Sequence, residues 1–518
     1  MKKANVDRFI FWAAIIVILA ATALLVIFQK SAEPYLDRVM TGITHNMDWA
    51  FQFLTIGLFI VLLWLAFSRY GNIKLGEGKP EFSTFSWGTM LFTAGMGTSI
   101  MYWSMAEPLF YFTGPPFGIE PGSQEAAEWA VTYGLFHWGI SAWSLYAFPT
   151  VVIAYMYFIR KRPTLKLSAA LSGALGKYSE GWIGKVIDIL VIWSLVGGLG
   201  TSLGLGVPMV SAVVADVIGI QPSLMLDAII VILITVIYSA SAYLGLHKGI
   251  RKLSDLNIYL ALALAVFVLL AGPTLFILTY FSNSFGMMLQ NFLMMSFYTD
   301  PIAESGFPQD WTVFYWAWFA ATAPFMGLFV ARISKGRTLR QLIMHMLLWG
   351  SVGGWLYFMV FGGYSMSLEL GGVLTLTDIL ADDGGPAAVV AILKSLPLSV
   401  IVLPFFIVLA VIFLSTSMDS ATYVLAAIAT RELKAGQDPA RWHRMIWGGM
   451  LAVLTLGLLF VGGLRVVQTS AVVVSIPIFL FYLLLAVSLF RWLKQDFPAP
   501  PLREPKRFMK EPKIKGGD

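Results

Sequence analysis

Two apolar segments of the sequence carry aromatic side chains at helical spacing. Trp138, Tyr146 and Trp143 fall at about 0°, about 80° and about 140° around a helix that turns by about 100° per residue, so they share one face. Phe314 and Trp318 likewise lie within an arc of about 40° in the second segment. Such ring faces bind a quaternary ammonium group by cation–π attraction, worth about 2 kcal/mol or more when water is excluded. The alternative is ordinary helix packing by large apolar groups.

Other chemistry has little support in the sequence. The chain has no cysteine, which excludes disulfides, thiolate nucleophiles and Cys-ligated metals. Its five histidines are scattered without metal-ligand spacing, and no paired carboxylates are apparent. The net charge of +6 comes from basic residues in short loops between apolar segments, the pattern of cytoplasmic membrane loops rather than of a nucleic-acid surface.

Composition predicts an integral membrane protein. Of the 518 residues, 58% are hydrophobic and 12% are charged, whereas a soluble domain carries about 25% charged residues. Since each crossing needs about 20 mainly apolar residues, the chain offers roughly twelve spans. These spans are predicted near 9–28, 49–68, 87–112, 133–158, 185–213, 223–246, 257–281, 311–333, 341–364, 398–430, 442–464 and 466–492.

Loop charge predicts the orientation. Basic clusters occur in alternate loops, at 160–162, 248–252, 332–340 and 431–444, whereas the loops at 114–131 and 282–310 contain no Lys or Arg. The positive-inside rule therefore places both termini in the cytoplasm.

Glycines and prolines mark breaks or close contacts between helices. The third span is interrupted at Gly95 and Gly97, the eighth contains Pro324, and further features lie at Gly197–Gly200 and Gly272–Pro273. Interruptions at corresponding places in two halves indicate inverted repeats whose broken helices hold substrate and ions. Small residues also serve for close helix packing, which is the alternative.

Seven motifs occur in order along the chain. They are Gly95-Met96-Gly97, Ala106-Glu107-Pro108, Phe136-His137-Trp138-Gly139, Ser202-Leu203-Gly204-Leu205-Gly206, the run from Trp311 to Trp318, the run from Ala331 to Thr338, and Thr416-Ser417-Met418-Asp419-Ser420. Together they resemble the betaine/choline/carnitine transporter family from about the first span to the twelfth. The aromatic run followed by the Arg-Ile-Ser loop is highly specific.

The resemblance implies an all-α integral membrane protein with about twelve transmembrane helices and a leucine-transporter-like fold of two inverted five-helix repeats. It implies two leading helices and a cytoplasmic loop in 1–80, a first repeat in 81–282, an extracytoplasmic amphipathic helix in 283–310, a second repeat in 311–493 and a cytoplasmic tail in 494–518. It also implies a homotrimer in the lipid bilayer of the cell membrane, with alternating access around a midplane site.

The resemblance further implies the substrate site. The cage is expected to consist of Trp138, Trp143, Tyr146 and Trp318, with Phe314 nearby. Phe319 directly follows Trp318, where the family usually has a second aromatic residue. If the substrate carries a carboxylate, the N–H groups freed around Met96, Thr98 and Ser99 would accept it. If it does not, as with choline or a methylamine, this loop serves only as a hinge.

Sodium is the expected coupling ion, and no cofactor is expected. Thr416 and Ser417 match the sodium-binding pair of coupled family members, and carbonyls near Thr93, Met96 and Phe413 would complete the set of hard oxygens that Na⁺ needs. The alternative is that these hydroxyls bond back to their own helix. Leu195 and Leu199 replace the hydroxyls of the family's second sodium site, so one sodium site is expected.

Other segments are most similar to carnitine/γ-butyrobetaine antiporters. They are 81–84, 115–118 and 297–303, and Met326 also matches the antiporter pattern. Those antiporters, however, lack the Gly-Met-Gly break and carry an arginine where this chain has Asn257. The expected function is import of a small quaternary-amine or betaine-type solute by sodium symport. The alternatives are a sodium-independent precursor/product antiporter and, from another class, a polytopic membrane enzyme.

Overall fold

The computed structural model describes residues 6–94, 97–162, 164, 166–244, 250–431 and 438–498. These residues form twenty α-helices and contain isolated β-bridges but no strand. The helices are α1 (Arg8–Ile27), α2 (Gln29–Phe67), α3 (Thr84–Ala94), α4 (Thr98–Thr113), α5 (Gln124–His137), α6 (Ile140–Ala154), α7 (Leu167–Ala170), α8 (Ser172–Leu175), α9 (Trp182–Ile218), α10 (Leu224–Leu244), α11 (Ile250–Ala271), α12 (Thr274–Phe297), α13 (Phe314–Ile333), α14 (Leu339–Tyr357), α15 (Gly363–Leu370), α16 (Leu376–Asp382), α17 (Gly385–Lys394), α18 (Ser399–Ile428), α19 (Arg441–Val461) and α20 (Leu464–Asp496).

The protein is an all-α integral membrane protein. Within the described ranges, nine helical segments are long and apolar enough to cross a bilayer, and a tenth is added if α11 and α12 count as one bent span. The third and sixth predicted spans are also helical, as α3 with α4 and as α10, but neither meets the same length and hydropathy test. The total of twelve spans stays a prediction.

The chain turns sharply between α11 and α12. The two helices are bent by 108° at Gly272 and Pro273. Proline ends a helix because it lacks an N–H and its ring clashes with the preceding turn. The predicted seventh span, 257–281, is therefore wrong at its end, because residues from Thr274 onward belong to α12. The helix that covers the predicted amphipathic segment likewise starts at Thr274, before the predicted boundary at 283.

The fourth predicted span lies in one helical segment, Gln124–Ile159, that is interrupted at Trp138 and Gly139. The helix α5 ends at His137 and α6 begins at Ile140, and Gly139 between them has a non-helical backbone (φ −96°, ψ −147°). A side chain at Gly139 would lie 2.5 Å from the Leu135 carbonyl oxygen and 2.9 Å from the Trp355 indole nitrogen, so only glycine fits. The angles predicted for one continuous helix therefore do not apply across this break.

The helix α9 is continuous through its glycines, which form contacts instead of a break. A Cβ on Gly197 would lie 2.6 Å from Val474 of α20, and one on Gly198 would lie 2.8 Å from Thr322 of α13. Small residues of this kind let membrane helices approach closely. The glycines of α9 thereby hold α13 and α20 against it.

One end of α18 is tied to α19 by a buried ion pair. The Arg444 guanidinium of α19 bonds to the Asp419 carboxylate of α18, and both side chains are almost fully buried. The same guanidinium lies over the Tyr423 ring, 5.6 Å from its centroid. Asp419 therefore has a structural partner in this arrangement.

Candidate substrate site

Four aromatic side chains from the end of α5, from α6 and from α13 meet inside the helix bundle. We call Trp138, Tyr146, Trp318 and Phe319 the cage. The Trp138 ring centroid lies 6.0 Å from Trp318 and 5.6 Å from Phe319, both nearly perpendicular, and Tyr146 lies 5.1 Å from Phe319. Rings at these separations contact one another, so the four side chains form one packed cluster.

The polar ends of three cage residues are fixed by hydrogen bonds. The Trp318 indole N–H donates to the Gly198 carbonyl of α9 at 3.0 Å. The Trp138 indole N–H donates to Glu107 of α4 at 3.0 Å. The Tyr146 hydroxyl pairs with the Thr322 hydroxyl at 2.9 Å. Buried indole and phenol groups need such partners, and these bonds fix the orientation of each ring.

The other two predicted cage aromatics lie at its edge. The Phe314 ring stacks on Trp318 at 5.7 Å and 14°, and is fully buried. Trp143 packs so closely against α14 that a Cβ on Gly350 would overlap its ring. Among the ring contacts of the described residues, Trp143 meets the cage through Tyr146 at 5.5 Å. Trp138 and Trp143 lie on either side of the interruption at Gly139, and their shared face stays a prediction.

The broken third span places polar groups at the start of α4. The chain leaves α3 after Ala94 and enters α4 at Thr98, with Gly97 extended (φ −151°). Thr98 is buried, and its hydroxyl has no hydrogen-bond partner among the described residues. Ser99 is half-buried, and Met96 lies outside the described residues. The first N–H groups of a helix and a free hydroxyl fit a carboxylate.

The predicted sodium residues lie on α18 and at the end of α3. The Thr416 hydroxyl donates to the carbonyls of Ile412 and Phe413 at 3.0 and 3.1 Å, which is the helix-internal alternative. Ser417 is half-buried, and Thr93 belongs to the last turn of α3. A hydroxyl that donates keeps lone pairs for a cation, so this geometry is compatible with either interpretation.

Asn257 of α11 engages the same stretch of α18. In the amide orientation that satisfies both groups, its nitrogen donates to the Leu409 carbonyl and its oxygen accepts from the Phe413 N–H, each at 3.2 Å. These two backbone groups are the partners of a single i to i+4 link of the helix. Asn257 is 2% exposed, so its amide is fixed beside the part of the α18 backbone that is predicted to bind sodium.

Glu107 lies at the centre of a hydrogen-bond network beside the cage, although it is not among the predicted site residues. Its Oε1 accepts from the Tyr111 hydroxyl at 2.6 Å, and its Oε2 accepts from the Tyr315 hydroxyl at 2.5 Å and from Trp138. His137 Nδ1 lies 3.4 Å from Oε1. An acidic residue inside an apolar span is a functional candidate by default, and that signal was available in the sequence.

These features define a multi-pass helical membrane protein with an aromatic cage inside its bundle. The family model for the BCCT, betaine/carnitine/choline family transporter, matches residues 9–498. The chain is 36% identical over 457 residues to the uncharacterized transporter YeaV of Escherichia coli (strain K12), covering 88% of this chain and 94% of that protein. It is 34% identical over 503 residues to a carnitine transporter of Acinetobacter baumannii, covering 96% and 91%.

The chain therefore belongs to the betaine/carnitine/choline transporter family. It is a transporter and not an enzyme.

Proposed function

We propose that the protein imports a small quaternary-amine or betaine-type solute by sodium symport, with alternating access around the cage. The cage is the observation that carries the proposal, because three aromatic side chains anchored by their polar ends meet in one buried cluster. A methylated ammonium cannot donate hydrogen bonds, and ring faces attract it electrostatically. Since one relative is named a carnitine transporter, carnitine is the first substrate to test.

Sodium coupling is supported by the chemistry around α18. Hydroxyls at Thr416 and Ser417 and a helix interruption before Thr98 supply oxygen atoms of the type that Na⁺ prefers. The neighbouring side chain of α11 is the neutral amide of Asn257. A neutral amide leaves room for a coupling cation that a fixed positive charge would repel.

A second candidate is sodium-independent exchange of a precursor for its product. It is favoured by the Thr416 hydroxyl, which is already bonded to the carbonyls of its own helix. In that case Asn257 and Thr416 are structural, and an outward gradient of the internal solute drives uptake.

The test is uptake into liposomes that contain the purified protein. Labelled carnitine, glycine betaine, choline, trimethylamine and a sulfonium analogue are offered with an inward Na⁺ gradient or with K⁺ in its place. Symport predicts uptake that requires Na⁺, with a raised sodium requirement in Thr416→Val. Uptake that ignores Na⁺ but needs solute inside the liposomes would establish the exchanger instead.

The matched control for this variant is Thr455→Val on α19. The Thr455 hydroxyl also donates to a carbonyl of its own helix, that of Leu451 at 2.8 Å, so both substitutions remove the same kind of bond. Only Thr416 lies in the predicted ion site. Thr455→Val should therefore leave the sodium requirement unchanged, and an equal rise in both variants would refute the role of Thr416.

We also propose a homotrimer with both termini on the cytoplasmic side. Large apolar side chains of α10, α11 and α12 point outward, including Ile232, Leu270 and Leu293, which suits contact with lipid or with other copies. Crosslinking in native membranes that yields no species beyond a monomer would refute the trimer. Labelling of an engineered cysteine near the C-terminus from the outside would refute the orientation.

A further inference from the structure

The Glu107 carboxylate is surrounded by hydrogen-bond donors. Three donors reach its carboxylate: the hydroxyls of Tyr111 and Tyr315 and the indole N–H of Trp138. The two hydroxyl contacts, at 2.6 and 2.5 Å, have the short separation typical of O–H···O⁻ bonds. The indole N–H can only donate. Together these contacts match an ionised carboxylate.

The neighbouring histidine has a hydrogen-bond pattern that suits its neutral form. Nε2 of His137 lies 3.0 Å from the Thr312 hydroxyl, which can donate to it. Nδ1 lies 2.8 Å from the Tyr111 oxygen, which has already given its own proton to Glu107 and can accept. A neutral ring with its proton on Nδ1 therefore satisfies every partner.

The anion has no cationic partner in the described part of the chain other than this histidine. The ion pairs formed there give Glu107 no lysine or arginine, and its side chain is 0% exposed. A buried charge without a counter-charge is costly, and hydrogen bonds offset this only in part. The site therefore favours a ligand that brings a positive charge.

We propose that Glu107 is a positioning residue that supplies the counter-charge for the quaternary ammonium group of the substrate. It acts through Trp138 and Tyr315, since each donates a hydrogen bond to its carboxylate. Trp138 is a wall of the cage, and the Tyr315 ring lies 6.2 Å from Trp318 and 6.3 Å from Phe319. In a water-excluded interior the charge is felt across one layer of side chains.

The inference rests on the proposed substrate class and deepens it. Cation–π attraction from the ring faces would by itself make the cage bind cations more tightly than neutral ligands. A buried carboxylate behind one wall adds a second, longer-range preference. At roughly 10 Å and an effective dielectric constant of about 20, one charge changes the affinity for a cation roughly tenfold.

The test compares a cationic ligand with its neutral carbon isostere. Glycine betaine and 3,3-dimethylbutanoate differ only in the nitrogen that carries the charge, so the ratio of their affinities isolates charge recognition. Both are measured by competition against the labelled solute that the purified protein binds. In Glu107→Gln we expect the ratio to fall roughly tenfold. Asp188→Asn serves as the matched control, because that carboxylate is also buried but pairs with Lys166 outside the cage.

A purely structural role for Glu107 would weaken both ligands equally and leave the ratio unchanged, which would overturn the proposal. The same result would follow if a protonated His137 already neutralised the carboxylate. Should Glu107→Gln fail to fold, Glu107→Asp and Glu107→Asn give the same charge comparison with equal side-chain size, and the Asp variant should keep the higher ratio. If the wild-type protein binds no quaternary amine at all, the proposed function fails, and the two failures are thereby distinguished.

Discussion

The cage makes a direct prediction for Trp318→Leu. Leucine keeps an apolar side chain at the position but removes the ring face. Trp318 is 6% exposed, and its ring lies against Trp138 and Phe314. Loss of its hydrogen bond to the Gly198 carbonyl costs about 0.5–1.5 kcal/mol of folding stability, and this loss does not depend on substrate.

The loss of affinity follows from the ring face. A desolvated cation–π contact is worth about 2 kcal/mol, and each 1.4 kcal/mol is about tenfold in affinity. We therefore expect the dissociation constant of the quaternary-amine substrate to rise about 30-fold in Trp318→Leu. Trp318→Phe keeps a less electron-rich face and should raise it by only about threefold to tenfold.

The chain provides a control two residues away. Trp316 lies on the same helix, is 1% exposed and packs its ring on Phe136 at 5.6 Å and on His137 at 5.9 Å; among the ring contacts of the described residues, none joins it to the cage. Trp316→Leu should lower the melting temperature in detergent. It should leave the dissociation constant of the substrate within about twofold of the wild-type value, because the Trp316 ring is not part of the cage. Binding is measured by scintillation proximity with labelled substrate on folded protein recovered from size exclusion. Equal loss of binding in both variants would refute the cage.

Three further outcomes are expected. Gly198→Ala should destabilise the protein by about 1–3 kcal/mol, because the new methyl group would lie 2.8 Å from a side chain of α13. The control Gly449→Ala places its methyl group in open space and should be neutral or slightly stabilising. Equal melting temperatures for the two variants would contradict the close packing at Gly198. Asp419→Asn leaves the Arg444 guanidinium buried without its carboxylate partner. This should lower the folding stability by about 3–5 kcal/mol, measured as a lower yield of folded protein. A melting temperature equal to that of the wild type would contradict a stabilising role for the ion pair. Tyr146→Phe removes only a hydroxyl that bonds to α13, so uptake affinity should change less than about threefold, and a larger loss would mean that the hydroxyl contacts the substrate.

Much of the helix content could be predicted from the sequence, because long apolar runs leave few alternatives in a bilayer. Periodicity could not locate the ends that depend on tertiary contacts. At Gly139 the Trp355 indole occupies the space that a side chain would need, so glycine is required where the helix is interrupted. The glycines of α9 look similar in the sequence, yet there the helix continues and a neighbouring helix fills the groove. Glycine marks both situations, and only the partner decides between them.

The site was predictable where the chemistry resides in the residue type and less so where it resides in the contacts. Trp138 and Trp318 come together as expected. Trp143 lies beyond the interruption at Gly139 and contacts the cage through Tyr146. The role of Glu107 depends on donors from three separate segments of the chain, and spacing along one segment cannot reveal such a set.

The bonds from Asn257 to α18 have a mechanical consequence. One rung of that helix, between the Leu409 carbonyl and the Phe413 N–H, is duplicated by a side chain from α11. Breaking a helical hydrogen bond normally leaves its N–H and its carbonyl without partners in an apolar interior. Here the Asn257 amide would still bond to both groups. Side chains inserted in this way are a recognised cause of helix kinks. Bending α18 at this hydrogen bond therefore costs less free energy than bending it at a turn whose backbone groups have no alternative partner. Thr416 lies just beyond this turn, on the part of the helix that would move.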